Sequence, residues 1–123
     1  MTTAYWCVLI AGLLPYVATL TAKSGARFDN ARPREWLAQQ TGYRSRANSA
    51  QQNSFEAFPL FAAAVIVAHL TGAPQPRVDL LAVVFVVARL AHLGFYLANL
   101  PTLRSLAWFA GIGSAIAIFV AGA

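Results

Sequence analysis

The sequence predicts an all-α integral membrane protein, a bundle of four transmembrane helices that forms a single domain over residues 1–123. Of the 123 residues, 59% are hydrophobic and only 11% are charged, and the mean hydropathy is +0.58. A soluble domain carries about 25% charged residues. Four apolar runs lie at about residues 4–22, 47–71, 78–100 and 103–123. Each is close to the roughly 20 residues that a helix needs to cross the hydrocarbon core, so the chain belongs to the membrane class.

The four runs are expected to be helices rather than strands. Backbone groups in lipid must be satisfied within the segment, and the strands of a barrel alternate polar with apolar residues. The run from Leu80 to Val87 does not alternate. Pro15 and Pro59 lie inside the first and second runs, where proline can bend a helix. Residues 1–3 carry no basic side chain, which a cleaved signal peptide normally has, so the first run is predicted to be a retained span.

The connections between the runs differ in length. Residues 72–76 and 99–102 contain Gly and Pro or Asn and Pro, and predict tight turns. Residues 23–44 form the one long connection. Within it, residues 32–40 predict a short helix at the membrane interface with Pro33 in its first turn, where proline is well tolerated.

Basic residues are concentrated on one side of the predicted membrane. Six lie in or next to the long connection, namely Lys23, Arg27, Arg32, Arg34, Arg44 and Arg46. Arg104 brings that side to seven, and the opposite side holds only Arg77. Because positive residues stay inside, loop 23–44 is predicted to be cytoplasmic and both termini to lie across the membrane. This pattern accounts for the net charge of +5 and argues against a nucleic-acid partner.

Polar side chains inside the spans are expensive in lipid and mark functional or paired positions. On the second span they are Arg46, Ser49, Asn53 and Glu56, and on the third span they are Arg89, His92 and Tyr96. Spacings of three and four residues place each set on one face of its helix. Counted from the cytoplasmic ends of the runs, Glu56 and Arg89 lie about 14 and 16 Å deep at 1.5 Å per residue, so a buried ion pair is predicted between them.

These two faces predict a polar wedge that opens to the cytoplasm between Arg46 and Arg104. Such a wedge suits an anionic ligand, because arginine is the preferred partner of carboxylates. The alternative is a structural role, in which the polar groups only hold the helices together. Ser49 also fits a capping box with Gln52, which would start the helix at Ser49 and leave Arg46 in the loop.

The remaining features predict packing rather than chemistry. Cys7 lies in an apolar run, where a thiol resists ionisation. His69 has no second histidine or cysteine close to it in sequence, so no metal site is predicted. Small residues on span four follow rows with a spacing of four, Ala110, Ser114, Ile118 and Gly111, Ala115, Phe119. They predict close helix packing rather than a face for a ligand, with Trp108 and Phe109 facing lipid or a neighbour.

The second span carries a recognisable signature. The stretch from Ala50 to Phe61, Ala-Gln-Gln-Asn-Ser-Phe-Glu-Ala-Phe-Pro-Leu-Phe, resembles the second helix of the MAPEG family, the membrane-associated proteins of eicosanoid and glutathione metabolism. That signature is an arginine followed by Ala-Gln-x-Asn-x-x-Glu, an aromatic position and a proline. Ala88-Arg89-Leu90, with Tyr96 and Arg104, is similar to the family's third helix and the turn that follows it. Chain length, four spans and a long first loop agree with the family.

The resemblance implies a homotrimer of four-helix protomers that binds glutathione as co-substrate between protomers, on the cytoplasmic side. Active members conjugate glutathione to lipophilic electrophiles, reduce lipid hydroperoxides or isomerise lipids. Carried over by position, Asn53 and Glu56 would hold the glutathione backbone, and Tyr96 would line the site. Arg104 would be the catalytic residue that stabilises the thiolate, with one residue of slippage. Arg46, Ser49, Arg89 and His92 complete the predicted glutathione-binding set.

The sequence departs from the family pattern at three positions. Ser49 stands where the family has an arginine, Ala57 where a tyrosine commonly follows the glutamate, and His92 where a tyrosine is found. Arg46, one turn before Ser49, is the nearest substitute.

Three functions remain open from the sequence. The first is a glutathione-dependent transferase or peroxidase acting on lipophilic small molecules. The second is a non-catalytic, lipid-binding or scaffolding member of the family, which includes one such protein. The third is a small exporter, although in small multidrug exporters the membrane glutamate lies in the first span, and residues 4–22 here contain no acidic residue.

Overall fold

The computed structural model describes all 123 residues and contains five helices and no strand. The helices are α1 (Thr3–Ala22), α2 (Pro33–Ala38), α3 (Gly42–Leu70), α4 (Gln75–Leu97) and α5 (Pro101–Val120). All except α2 are long and apolar enough to cross a membrane. The predicted all-α bundle with four candidate spans is therefore confirmed, as is a short helix in the long connection.

Helix α3 begins earlier than its apolar run. Thr41 precedes the first turn with an extended backbone, and Gly42 has a positive φ of 63°. The predicted alternative of a helix start at Ser49 is therefore wrong, and Arg46 lies inside the helix rather than in a free loop. The first turn of α3 is polar because it lies beyond the packed part of the bundle, so hydropathy alone could not detect it.

The turn between α4 and α5 is tight. Asn99 has a positive φ of 59°, which asparagine tolerates better than most residues, and its N–H donates to the carbonyl of Tyr96 at 3.2 Å. Pro101 then begins α5, so that helix starts two residues before the predicted 103. Proline suits this first helical position, because its missing N–H would have no partner there.

Helices α3 and α4 form the central pair of the bundle, and each also packs against α1 and α5. In the core, the ring of Phe61 on α3 stacks on the ring of Phe85 on α4, with 3.9 Å between the ring centroids. Small buried residues such as Ala64 and Ala82 let the helices approach closely, which is the main source of packing energy between helices in lipid. Cys7 lies in the same core, 5% exposed, as expected for a packing residue.

The two ends of the bundle differ in chemistry. At one end, called the termini end here, the N–H of Ala4 donates to the Asp79 carboxylate at 2.9 Å, and the ring of Tyr5 lies 5.3 Å from that of His69. Gly122 lies against Thr71 at this same end. Both chain termini therefore lie at one end of the bundle.

The opposite end is called the loop end. There the second apolar cluster, Ala22, Leu37 and Ala47, attaches α2 to the ends of α1 and α3. The long connection and its basic residues lie at this end.

Candidate functional site

The centre of the site is a buried arginine on α4. Arg89 is only 4% exposed, and its Nη2 donates to Asn53 Oδ1 at 2.8 Å and to Ser54 Oγ at 3.4 Å, both on α3. The only ion pair in the protein joins Arg32 to Glu35, far from this position. Arg89 is thus a buried cation held by neutral oxygens, an arrangement that is costly unless a counter-charge is present.

The predicted Glu56–Arg89 ion pair is wrong. In the antiparallel pair α3–α4, Arg46 lies beside Leu97, and Asn53 lies beside Arg89, so seven residues along α3 match eight along α4. This register places Glu56 about one turn deeper than Arg89. The prediction failed because depths were counted from the ends of the apolar runs, and α4 ends at Leu97, three residues before the end of its run at residue 100.

Glu56 and Arg89 nevertheless share a cavity. It has a volume of about 130 Å³ and lies between α3, α4 and α5, lined by Asn53, Glu56, Ala57, Leu60, Phe85, Arg89, Trp108, Ile112 and Ala115. Six of its nine lining residues are hydrophobic. A carboxylate and a guanidinium therefore face one largely apolar space without neutralising each other.

A second group of polar side chains continues from Arg89 towards the loop end. His92 is 2% exposed, and its Nδ1 is buried without a hydrogen-bond partner. Its ring meets the Tyr96 ring nearly edge-on, with 5.4 Å between centroids. The guanidinium of Arg104, on the first turn of α5, lies 4.5 Å from the centroid of the same Tyr96 ring. These contacts bring three predicted site residues from two helices together.

Arg46 has a different position. Its Nε and Nη2 donate to the carbonyl of Leu97 at 3.3 and 3.2 Å, so it caps the last turn of α4. Ser49 lies one turn further along α3 and is half-buried. The structure thus does not place Arg46 in the cavity with Asn53 and Glu56.

Helix α5 contributes more to the site than its small residues predicted. Gly111, Ser114 and Ile118 are buried in helix packing, as expected, but Trp108, Ile112 and Ala115 line the cavity. Span four therefore packs tightly, as expected, and other residues of the same helix line the cavity. The signal was present in the sequence, because Arg104, Trp108, Ile112 and Ala115 follow spacings of four, four and three on one helix face. Ser54, the second acceptor for Arg89, was also missed, since a serine next to Asn53 carries no distinctive pattern.

Fold and site together define a small membrane protein whose central helices hold cations and a carboxylate in the loop-end half of an otherwise apolar bundle. The model of the MAPEG family matches residues 3–123, essentially the whole chain. The chain therefore belongs to the MAPEG family, and the alternative of a small multidrug exporter is set aside. None of the curated proteins compared with this chain matches it.

Proposed function

We propose that this protein is a glutathione-dependent transferase or peroxidase that acts on lipophilic electrophiles at the membrane. In this proposal the protein is a homotrimer, with loop 23–44 in the cytoplasm and both termini on the opposite side. Family membership supports a glutathione-associated role in general terms.

The observation that carries the proposal is the unneutralised pair of charges in the cavity. Glutathione bears an ammonium, two carboxylates and a thiol, so its binding site needs a carboxylate and at least one cation that do not neutralise each other. Glu56 and Arg89 line the same space, and neither has an ion-pair partner. Guanidinium groups pair with carboxylates in bidentate geometry, which suits Arg89 for one glutathione carboxylate and leaves Glu56 for the ammonium.

The thiol chemistry is assigned to Arg104. A nearby guanidinium lowers the pKa of a thiol and favours the nucleophilic thiolate. In the transferase reaction the thiolate attacks an electrophilic carbon, a C–S bond forms, and the leaving group departs with the bonding electrons. Arg104 is held by stacking on Tyr96 at a helix start, and no carboxylate neutralises it. A positioned cation of this kind stabilises negative charge on sulfur throughout the reaction.

The size of the cavity supports a site shared between protomers. At about 130 Å³ it is smaller than the roughly 300–1,000 Å³ of typical ligand sites, and glutathione is a tripeptide. A second copy packed beside α3 would enlarge the enclosed space. The buried and unpartnered Nδ1 of His92 is one further polar contact available to a ligand that enters from the loop end.

One observation favours the second candidate, a lipid-binding or scaffolding member without catalysis. The arginine nearest to Ser49 is Arg46, and its guanidinium is engaged by the Leu97 carbonyl. The site then has one cation fewer than the family pattern implies. In this case Arg89 and its partners would serve only to hold α3 and α4 together.

Activity measurements separate the two candidates. Purified protein in detergent is incubated with glutathione and either chlorodinitrobenzene or cumene hydroperoxide, and conjugate or oxidised glutathione is quantified. The transferase or peroxidase proposal predicts turnover that falls at least tenfold in Arg104→Gln. Arg44→Gln is the matched control, because Arg44 lies at the same end but donates to the Ser24 carbonyl. Absence of turnover with both substrates would favour the non-catalytic candidate, whereas an equal loss in both variants would contradict the role assigned to Arg104.

A further inference from the structure

We infer that the long connection and α2 form a binding surface for anionic phospholipid headgroups of the surrounding bilayer. This surface is separate from the cavity at Arg89 and does not depend on the proposed function. It is carried by three observations, namely cations without partners, an aromatic pair fixed to the bundle, and an open cleft beside them.

The cations of this segment fall into two groups. Lys23, Arg27, Arg32, Arg34, Arg44 and Arg46 face only two acidic residues, Asp29 and Glu35, so the net charge of the segment is +4. Three of the arginines are engaged, Arg32 with Glu35, Arg44 with the Ser24 carbonyl and Arg46 with the Leu97 carbonyl. The other three cations, Lys23, Arg27 and Arg34, have no carboxylate partner. Arg27 and Arg34 are both exposed.

An aromatic pair lies among these cations. The Phe28 and Trp36 rings meet at 87° with 5.1 Å between centroids, and Lys23 Nζ lies 4.3 Å from the centroid of Phe28. Trp36 also packs against the second apolar cluster, which includes Leu37. The pair is thereby tied to the spanning helices, and the cations beside it are held near a fixed apolar platform rather than on a free loop.

A cleft opens beside the pair. Its volume is about 330 Å³, and it is lined by Arg27, Phe28, Asp29 and Asn30. The one carboxylate in the cleft, that of Asp29, accepts the N–H of Ala31 at 2.9 Å and so stabilises its own turn. The cleft therefore offers a guanidinium, an amide side chain and an aromatic ring to a ligand the size of a phosphoglycerol group.

The position of the surface selects a lipid rather than another anion. Lys23 directly follows the last residue of α1, a helix long and apolar enough to cross a membrane. The end of such a span is where the headgroup layer is expected. Trp and Phe rings with Lys and Arg side chains are suited to that layer, because the rings contact the acyl boundary while the cations reach phosphate. Clusters of basic residues next to a span bind anionic lipids in this way, and each cation contributes roughly fivefold to binding.

The test uses the full chain in neutral detergent and follows its thermal midpoint during titration with short-chain phosphatidylglycerol or phosphatidylcholine. Phosphatidylglycerol should raise the midpoint saturably, and phosphatidylcholine should not. Arg27→Gln and Arg34→Gln should each raise the half-saturating phosphatidylglycerol concentration about fivefold, following the contribution of one cation. Arg77→Gln, at the termini end, removes the same charge and should stay within twofold of the native chain.

Three outcomes would overturn the inference. One is equal stabilisation by the two lipids. Another is an equal loss in Arg77→Gln and Arg27→Gln, which would indicate a general charge effect. The third is displacement of phosphatidylglycerol by inorganic phosphate at the same concentration, which would indicate a site for free anions. Because Arg27 and Arg34 have no partner in the protein, unchanged midpoints of these variants without lipid verify that they fold.

Discussion

The hydrogen bond from Arg89 to Asn53 makes a sharp prediction, because it distinguishes the observed partner of the buried arginine from the one that charge alone suggests. The perturbations are Asn53→Ala, Arg89→Met and their combination. Methionine keeps most of the side-chain volume and removes the charge. A parallel cycle combines Arg89→Met with Glu56→Gln, which removes the charge of the acidic residue that shares the cavity.

The expected coupling follows from the contact itself. A hydrogen bond to a charged group is worth about 1.5–3 kcal/mol in soluble proteins, whereas interhelical bonds in membranes average about 0.6 and reach about 1.7 kcal/mol. The Arg89–Asn53 bond is short, 2.8 Å, and the arginine is 4% exposed, so a value near the upper membrane limit is expected. In Asn53→Ala, the longer hydrogen bond from Arg89 to Ser54, at 3.4 Å, replaces only part of the lost hydrogen-bond energy. We expect a coupling of about 1.5 kcal/mol, which is roughly tenfold in the folding equilibrium.

The free energy of unfolding is measured by titration with sodium dodecyl sulfate in mixed micelles, followed by tryptophan fluorescence. The cycle with Asn53 should give the full coupling. The cycle with Glu56 should give a smaller coupling, because the two charged groups share a cavity but form no ion pair. A Glu56–Arg89 coupling as large as the Asn53–Arg89 coupling would refute the observed register of α3 against α4.

Substitutions at three glycines test the close helix contacts. A Cβ at Gly111 lies 3.5 Å from Arg89 Cδ, so Gly111→Ala should be tolerated and Gly111→Leu should lower the free energy of unfolding by about 1–3 kcal/mol. A Cβ at Gly12 lies 3.3 Å from the Phe58 ring, so Gly12→Leu should separate α1 from α3 at a similar cost. Gly113→Ala, with no atom within 4 Å, should raise the free energy of unfolding by about 0.5 kcal/mol. The same mixed-micelle titration measures all three, and a large loss in Gly113→Ala would contradict the packing described.

The number and class of the spanning helices could be predicted from the sequence, because hydropathy and the need to satisfy backbone groups act over whole segments. The residues at which the helices begin and end were harder to predict. The first turn of α3, from Gly42, is polar, and Tyr43 and Arg44 bind the carbonyl of Ser24 there, so no apolar signal marks the start of the helix. At the start of α5, Pro101 is well suited to the first turn of a helix. The prediction followed hydropathy instead and began the span at residue 103.

The spacing of the polar residues predicted which side of α3 and of α4 they occupy. It did not predict that Arg89 binds Asn53 and not Glu56. The spacing of Asn53 and Glu56 fixes which side of α3 they occupy, whereas their partners depend on the axial register of two helices. That register is set by packing such as the stacked rings of Phe61 and Phe85, which no pattern within one helix reveals. The engagement of Arg46 by the Leu97 carbonyl depends on the same register.

Calorimetric titration of glutathione into the detergent-purified native chain, beside Arg104→Ala and Glu56→Gln, tests the central claim most directly. We predict saturable binding by the native chain that both variants weaken, Glu56→Gln through the lost ammonium contact and Arg104→Ala through the lost thiolate contact. No heat and no thermal stabilisation at millimolar glutathione would contradict this prediction. Glu56 and Arg89 would then have only a structural role in the helix bundle.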